Sequence, residues 1–210
     1  MTIINEEYRM RKKVSTMLIS ILAILTISST SYASPKHINT KVKGSLESTH
    51  DIGCVDIKNL SNKYTPADLY KAVPTCIKEG KLDFGGQIFA LASAYGRFDS
   101  ERVADKTAHQ GTKVLIMRYL SLNKDISKEE KKEFSNIIQK GLKEGSNKHI
   151  KLCADLVKIG SPDYYPDYMI LHGMNAILGK NTNSNLVPGF NAEKAWKKTL
   201  KEYIHCSNLK

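Results

Sequence analysis

The chain reads as an all-α protein: a single compact domain of about seven helices, stapled by disulfides and preceded by an export leader. Three observations predict this. From Thr65 onward, apolar residues recur at i, i+3, i+4 and i+7, and the runs are bracketed by capping residues. Little of the chain alternates apolar and polar residues, as a half-buried strand would. Four cysteines follow a basic and then apolar N-terminal segment laid out like a secretion signal.

The leader comes first. Met10-Arg11-Lys12-Lys13 is basic, and Val14 to Ile27 is an apolar run interrupted only by Ser and Thr. Ser31-Tyr32-Ala33 then places small residues at −3 and −1, ahead of Ser34-Pro35. The apolar run falls short of the ~20 residues that cross a bilayer, so cleavage after Ala33 is expected, with no stable membrane insertion afterwards. No cysteine follows the run to accept a lipid. Translation is expected to begin at Met10, because residues 1–8 add Glu6 and Glu7 where such a leader carries no acid. The 177 residues after Ala33 suffice for one core and are short for two.

Residues 34–64 are polar and lack periodic apolar positions, so they read as a mostly irregular arm ordered near Cys54; residues 65–210 form the helical domain. Thr65 is an N-cap, with Pro66 at the first helical position and Asp68 completing the cap. Leu69, Val73, Cys76 and Ile77 share one face. Pro74 is expected to kink or split this helix, and Gly80 ends it. A second helix is expected from about Asp83 to Tyr95, burying Ile88, Phe89, Leu91, Ala92 and Tyr95.

The third helix is expected from Ser100 to about Leu122, with Val103, Thr107, Gly111, Val114, Leu115 and Leu122 inward. Ala104, Ala108 and Gly111 keep its face thin, which predicts the central helix of the domain. Ser127-Lys128-Glu129-Glu130 is a capping box opening a helix that buries Phe134, Ile137, Ile138, Gly141 and Leu142. A shorter helix, 147–159, is expected to bury Ile150, Cys153, Ala154 and Val157 before Gly160-Ser161-Pro162 stops it. Residues 166–178 offer Met169, Ile170, Leu171, Met174 and Ile177. After a polar loop, the last helix starts at Asn191 and turns Ala192, Trp196, Leu200, Tyr203 and Ile204 inward.

The segment from Cys76 to Ala92, CIKEGKLDFGGQIFALA, resembles a tetratricopeptide or Sel1-type helical hairpin. Gly80-Lys81-Leu82-Asp83 occupies the turn, and Gly85, Phe89 and Ala92 stand where that family keeps glycine, aromatic and small residues. The resemblance covers a tenth of the chain or less, and Arg97 stands where the family places a proline. No further copy follows at a ~34-residue period, so a solenoid is not expected. The resemblance implies hairpin packing and at most a protein-binding surface.

Four cysteines allow three pairings. Cys54–Cys76, stapling the arm to the first helix, and Cys153–Cys206, tying the last helix to a central one, are the expected pair. No CxxC or HxxxH spacing suggests zinc, and no cofactor is expected. The whole chain carries a formal charge of +11; the leader holds four of 32 basic and two of 21 acidic residues, leaving +9. The lysines are spread over outer helix faces, without an arginine stripe interleaved with aromatics, so nucleic acid is not an expected partner.

Two groups of residues could carry function. Glu101, Asp105 and His109 would stack on one helix face within ~12 Å, as a cation site or an Asp-oriented general base, with Arg97 and Arg102 free to hold an anion. Helix-surface ion pairing explains the same residues without chemistry, and no nucleophile elbow, phosphate loop or HExxH accompanies them. The second group is Asp163, Tyr164, Tyr165 and Asp167 between Pro162 and Tyr168, a rigid aromatic patch in which Tyr164 and Tyr165 are the expected exposed pair. For His172 a satisfied, partly buried histidine is expected. The reading reached is a monomeric, exported bacterial protein-binding module in the periplasm or outside the cell. It would be of the immunity or inhibitor type, acting on another protein, an acidic one by charge. The alternatives are a small hydrolase or metal-dependent enzyme centred on Asp105 and His109, and an envelope protein binding anionic surfaces through the lysines of residues 128–143.

Overall fold

A computed structural model describes residues 41–180 and 185–206; the expected leader, residues 34–40 of the arm, part of the polar loop and the last four residues lie outside them. Among the described residues the architecture is all-α: eight α-helices joined by short 3-10 and π turns, with one isolated bridge between Val103 and Leu186.

Helix α1 (Pro66–Lys78) begins as its sequence dictates. The Thr65 hydroxyl accepts from the Asp68 amide, and the Asp68 carboxylate accepts from the Thr65 amide, so two of the orphan donors at the helix start are satisfied. Leu69, Val73, Cys76 and Ile77 are buried. The helix continues through Pro74 without splitting. Burial on both sides of the proline holds the turn across the one missing donor.

Helix α2 (Leu82–Arg102) corrects the expected boundary at Tyr95. No proline separates Tyr95 from Arg102, and the helix runs on through Gly96. Phe98 is buried one turn on, the Ser100 hydroxyl donates to the Gly96 carbonyl, and Arg97 pairs with Glu101 at 3.3 Å. The fully buried Ile88, Leu91, Tyr95 and Phe98 make α2, and not the expected third helix, the axis of the core. The stretch read as one helix from Ser100 to Leu122 is instead five pieces. The chain ends α2, extends through Val103 to Asp105, turns in a 3-10 helix at Lys106–Gln110, and enters α3 (Gly111–Ile116), which ends in a π turn at Met117–Ser121. Ala108 and Leu115 are buried as expected, whereas Leu122 is 67% exposed. Close packing is served instead by Gly96, where α2 meets α3, and by Gly111, where α3 meets the arm. A Cβ on Gly96 would run into the Thr112 side chain, and one on Gly111 into Leu46.

Helix α4 (Lys128–Gly141) opens with the expected capping box, Ser127 with Glu130, and buries Phe134. Helix α5 (Asn147–Ile159) is where the expected inward face is wrong. His149, Leu152 and Leu156 point into the core, and Ile150, Ala154 and Val157 point to solvent. The expected helix over 166–178 is two single turns, α6 (Asp167–Ile170) and α7 (Met174–Ile177). The break is imposed from outside. Asp105 and Thr107 side chains accept from the Asn175 and Met174 amides, and the Asp105 carboxylate fills the space a Cβ on Gly173 would need. Helix α8 (Ala192–Lys198) is capped by Asn191 and runs into a π turn at Thr199–Tyr203. Trp196 and Leu200 are buried; Ala192 and Tyr203 are exposed, against expectation.

The disulfides are Cys54–Cys76 and Cys153–Cys206. The arm over residues 41–64 holds no helix beyond a 3-10 turn at Ile57–Asn59, yet its Leu46 and Ile57 are fully buried. Asp68 ties it down: its Oδ1 accepts from the amides of Thr49 at 2.7 Å and His50 at 2.8 Å and from the Ser48 hydroxyl at 3.0 Å. No described helix is long and apolar enough to cross a membrane.

Candidate functional site

The densest polar cluster is buried. Asp99, one turn before the end of α2, has no exposed surface. Its Oδ1 accepts from Arg102 Nε at 2.8 Å, with Nη2 at 2.7 Å; its Oδ2 accepts from the Tyr164 and Tyr168 hydroxyls at 2.9 and 2.8 Å. The guanidinium carbon of Arg102 lies 5.1 Å from the ring centres of both Phe98 and Tyr164. Burial pushes the Asp99 carboxyl up, against the opposing pull of Arg102 and the two phenols. Burial and the adjacent carboxylate push both phenols well above their ordinary range, so they remain donors at neutral pH. The cluster is a closed clamp holding the corner after α5 onto α2.

That clamp reassigns several expected binding residues. Tyr164 is turned inward and does not form an exposed pair with Tyr165; Arg102 is buried against Asp99. Tyr165, at 49% exposure, and both Asp163 and Asp167 remain on the surface, as does Arg97. The partner of Asp99 is Arg102, three residues along the helix. Continuing the spacing of Ile88, Leu91, Tyr95 and Phe98 one more turn is the signal that places Asp99 and Arg102 on the buried side. His172 is half-buried, its Nδ1 3.4 Å from the Ser45 hydroxyl, and burial together with the Arg118 charge lowers its pKa.

Glu101, Asp105 and His109 do not share a helix face. Glu101 sits in the last turn of α2 and accepts from Lys198 at 3.1 Å beside Arg97. Asp105 lies past the helix end. Its Oδ1 accepts from the amide and hydroxyl of Thr107, and its Oδ2 from the Asn175 amide. Desolvation raises its carboxyl, but the Thr107 hydroxyl and the two amides outweigh this and hold it below its usual value. His109 directs Nε2 at the Val103 carbonyl at 2.9 Å, an acceptor that makes Nε2 the protonated nitrogen. Each of the three side chains is occupied in holding the chain where α2 ends.

Two clefts flank the inner side of α5. One, of about 270 Å³, lies between α2, α4 and α5 over Phe84, Ile137, Ile138 and Leu142, and Asp83 pairs with Lys148 at its rim at 2.6 Å. The other, of about 180 Å³, lies over Phe89, Leu142, His149, Tyr203 and His205. Glu101, Asp105 and His109 line neither.

The outer face of α5 is the surface feature that sequence reasoning missed. Ile150 is 59% and Val157 46% exposed, with exposed Ala154 between them on one stripe. Exposed Lys151 and Lys158 run alongside; Lys151 reaches Asp155 at 3.1 Å. Tyr165 follows in the corner beyond the helix. No family model, curated protein or solved structure matches this chain.

Proposed function

We propose that this chain is an exported, monomeric helical module that binds another protein through the outer face of α5. The observation that carries the reading is the stripe Ile150–Ala154–Val157, three apolar residues in register left in water along two turns of α5. Single exposed apolar residues are ordinary; three in register on one helix are a surface to be covered. Lys151 and Lys158 beside the stripe, on a chain of formal charge +11, favour an acidic partner with an apolar face of its own. Exposed Tyr165, with Asp163 and Asp167, adds an aromatic in the corner that follows the helix. Export is supported by the leader and by two disulfides, which persist in oxidising compartments. An immunity- or inhibitor-type protein acting by occlusion works in this way.

The test is capture from a periplasmic or extracellular fraction at stepped salt, using the mature chain and an Ile150→Asp/Val157→Asp variant. One stoichiometric partner, weakening as salt rises and absent with the variant, is expected, and both proteins should melt within about 2 °C of each other, because surface changes cost little. Equal capture by both proteins, or no stoichiometric partner at any salt, rejects the reading.

A further inference from the structure

We propose that the reduced chain carries a metal site for a soft, thiophilic d10 cation, built from His149, Cys153 and Cys206, and that closing the Cys153–Cys206 disulfide removes it. The three ligand atoms, one imidazole nitrogen and two sulfurs, lie within 4.8 Å of one another. His149 is buried, and its Nε2 already stands 3.8 Å from Cys153 Sγ. With metal–nitrogen and metal–sulfur bonds of their usual lengths, a tetrahedral ion needs that separation to be about 3.6 Å. The Cα atoms of Cys153 and Cys206 are 5.7 Å apart, so both sulfurs can turn toward one point without moving the backbone apart. Two thiolates and one imidazole are the donor set that selects Zn²⁺ or Cu⁺ over hard cations.

The chemistry is a two-electron exchange followed by proton release. A dithiol or phosphine reductant breaks the Cys153–Cys206 bond: the dithiol becomes a disulfide and its two protons go to the cysteine sulfurs, or the phosphine takes oxygen from water to become an oxide and that water's two protons go to the sulfurs. The cation then displaces both thiol protons. His149 must also change tautomer. Its Nε2–H now donates to the Ile204 carbonyl at 2.8 Å, while Nδ1 accepts from the Gly145 amide at 3.4 Å. Metal on Nε2 moves the proton to Nδ1 and breaks both contacts: Nε2 no longer donates to the Ile204 carbonyl, and Nδ1–H faces the Gly145 amide, so the Gly145 and Ile204 segments must shift to admit the ion. Among the described residues Cys54 and Cys76 form no such cluster with a histidine, so the site belongs to one disulfide only.

The experiment reduces the full mature chain without oxygen, removes the reductant, and titrates Zn²⁺ and Cu⁺ separately, following the thiolate-to-metal absorption band and helicity. One ion per chain is expected for at least one cation, with none in the oxidised chain. Cys153→Ser and Cys206→Ser abolish it, and His149→Ala weakens it at least tenfold. A Cys54→Ser/Cys76→Ser double variant retains it, and the Gly145 amide resonance moves on loading. Uptake of Cu⁺ alone assigns a three-ligand site, and uptake of both cations a fourth ligand. The proposal is overturned by no uptake of either ion, by equal uptake in the Cys153→Ser chain or the oxidised chain, or by a reduced chain that loses helicity and regains none with either ion.

Discussion

Asp68 has no exposed surface, yet it holds the arm and the start of α1 together. Burial alone would raise its carboxyl. The His50 and Thr65 amides, the Thr65 hydroxyl and the Thr49 amide outweigh that and lower it. A carboxyl lowered by folding contributes stability that is fully present above its unfolded value and is lost as pH falls through the folded one. Asp68→Ala leaves several amides without an acceptor and is expected to cost about 3 kcal/mol at neutral pH. For Asp68→Asn, the melting gap from the native protein should narrow once pH drops below about 4, the ordinary Asp value, where the unfolded chain takes up a proton that the lowered native carboxyl still resists. A gap that stays constant down to strong acid would show that charge at this position contributes nothing. The cap itself was legible, because Thr65, Pro66 and Asp68 are adjacent in the chain and bond one another. The second use of Asp68, gathering Ser48, Thr49 and His50, was not, since polar residues in an irregular segment carry no spacing that names their acceptor.

Elements were predicted where their ends are local and misplaced where a neighbour decides. Ser127 with Glu130 and Asn191 with Lys194 mark helix starts by contacts within one turn. The end of α2 has no such mark, and the run from Ser100 to Leu122 keeps helical spacing on paper. Its break at Val103–Asp105 follows from contacts with the Asn185–Val187 segment and α7: Ala104 N–H donates to the Asn185 carbonyl, and Val187 N–H to the Arg102 carbonyl. In α5, positions 149, 152, 153 and 156 and positions 150, 153, 154 and 157 have the same internal spacing and share Cys153. Periodicity cannot choose between them; the cavity that receives Leu152 and Leu156 does. The close approach of α2 to α3 gives a sharp prediction. Gly96→Ala pushes a methyl into Thr112 and is expected to destabilise by about 2 kcal/mol, as overpacking does. Combining it with Thr112→Ala should recover most of that loss in a double-mutant cycle. Additive losses would mean that the two helices do not meet at this point.

At the scale of the molecule, two cross-links close loops of different size. Cys54–Cys76 spans 22 positions and Cys153–Cys206 spans 53. Chain entropy then assigns about 3 kcal/mol to the first and about 4 kcal/mol to the second. Replacing each pair by serine should lower the melting temperature by roughly 10 °C, with the larger drop for Cys153 and Cys206. The opposite order would show that anchoring the arm, with its buried Leu46 and Ile57, matters more than the length of loop closed. The sequence by itself determined the all-α class and the capped helix starts at Thr65, Ser127 and Asn191, because capping and spacing act over short distances along the chain; among the three possible cysteine pairings it favoured the one found without deciding it. Only the tertiary structure decided which face of α5 meets water, where α2 ends, and that Tyr164 and Arg102 close around Asp99. Each of those depends on which distant segment supplies the apolar cover or the hydrogen-bond partner, and a single chain read in order does not contain that information locally.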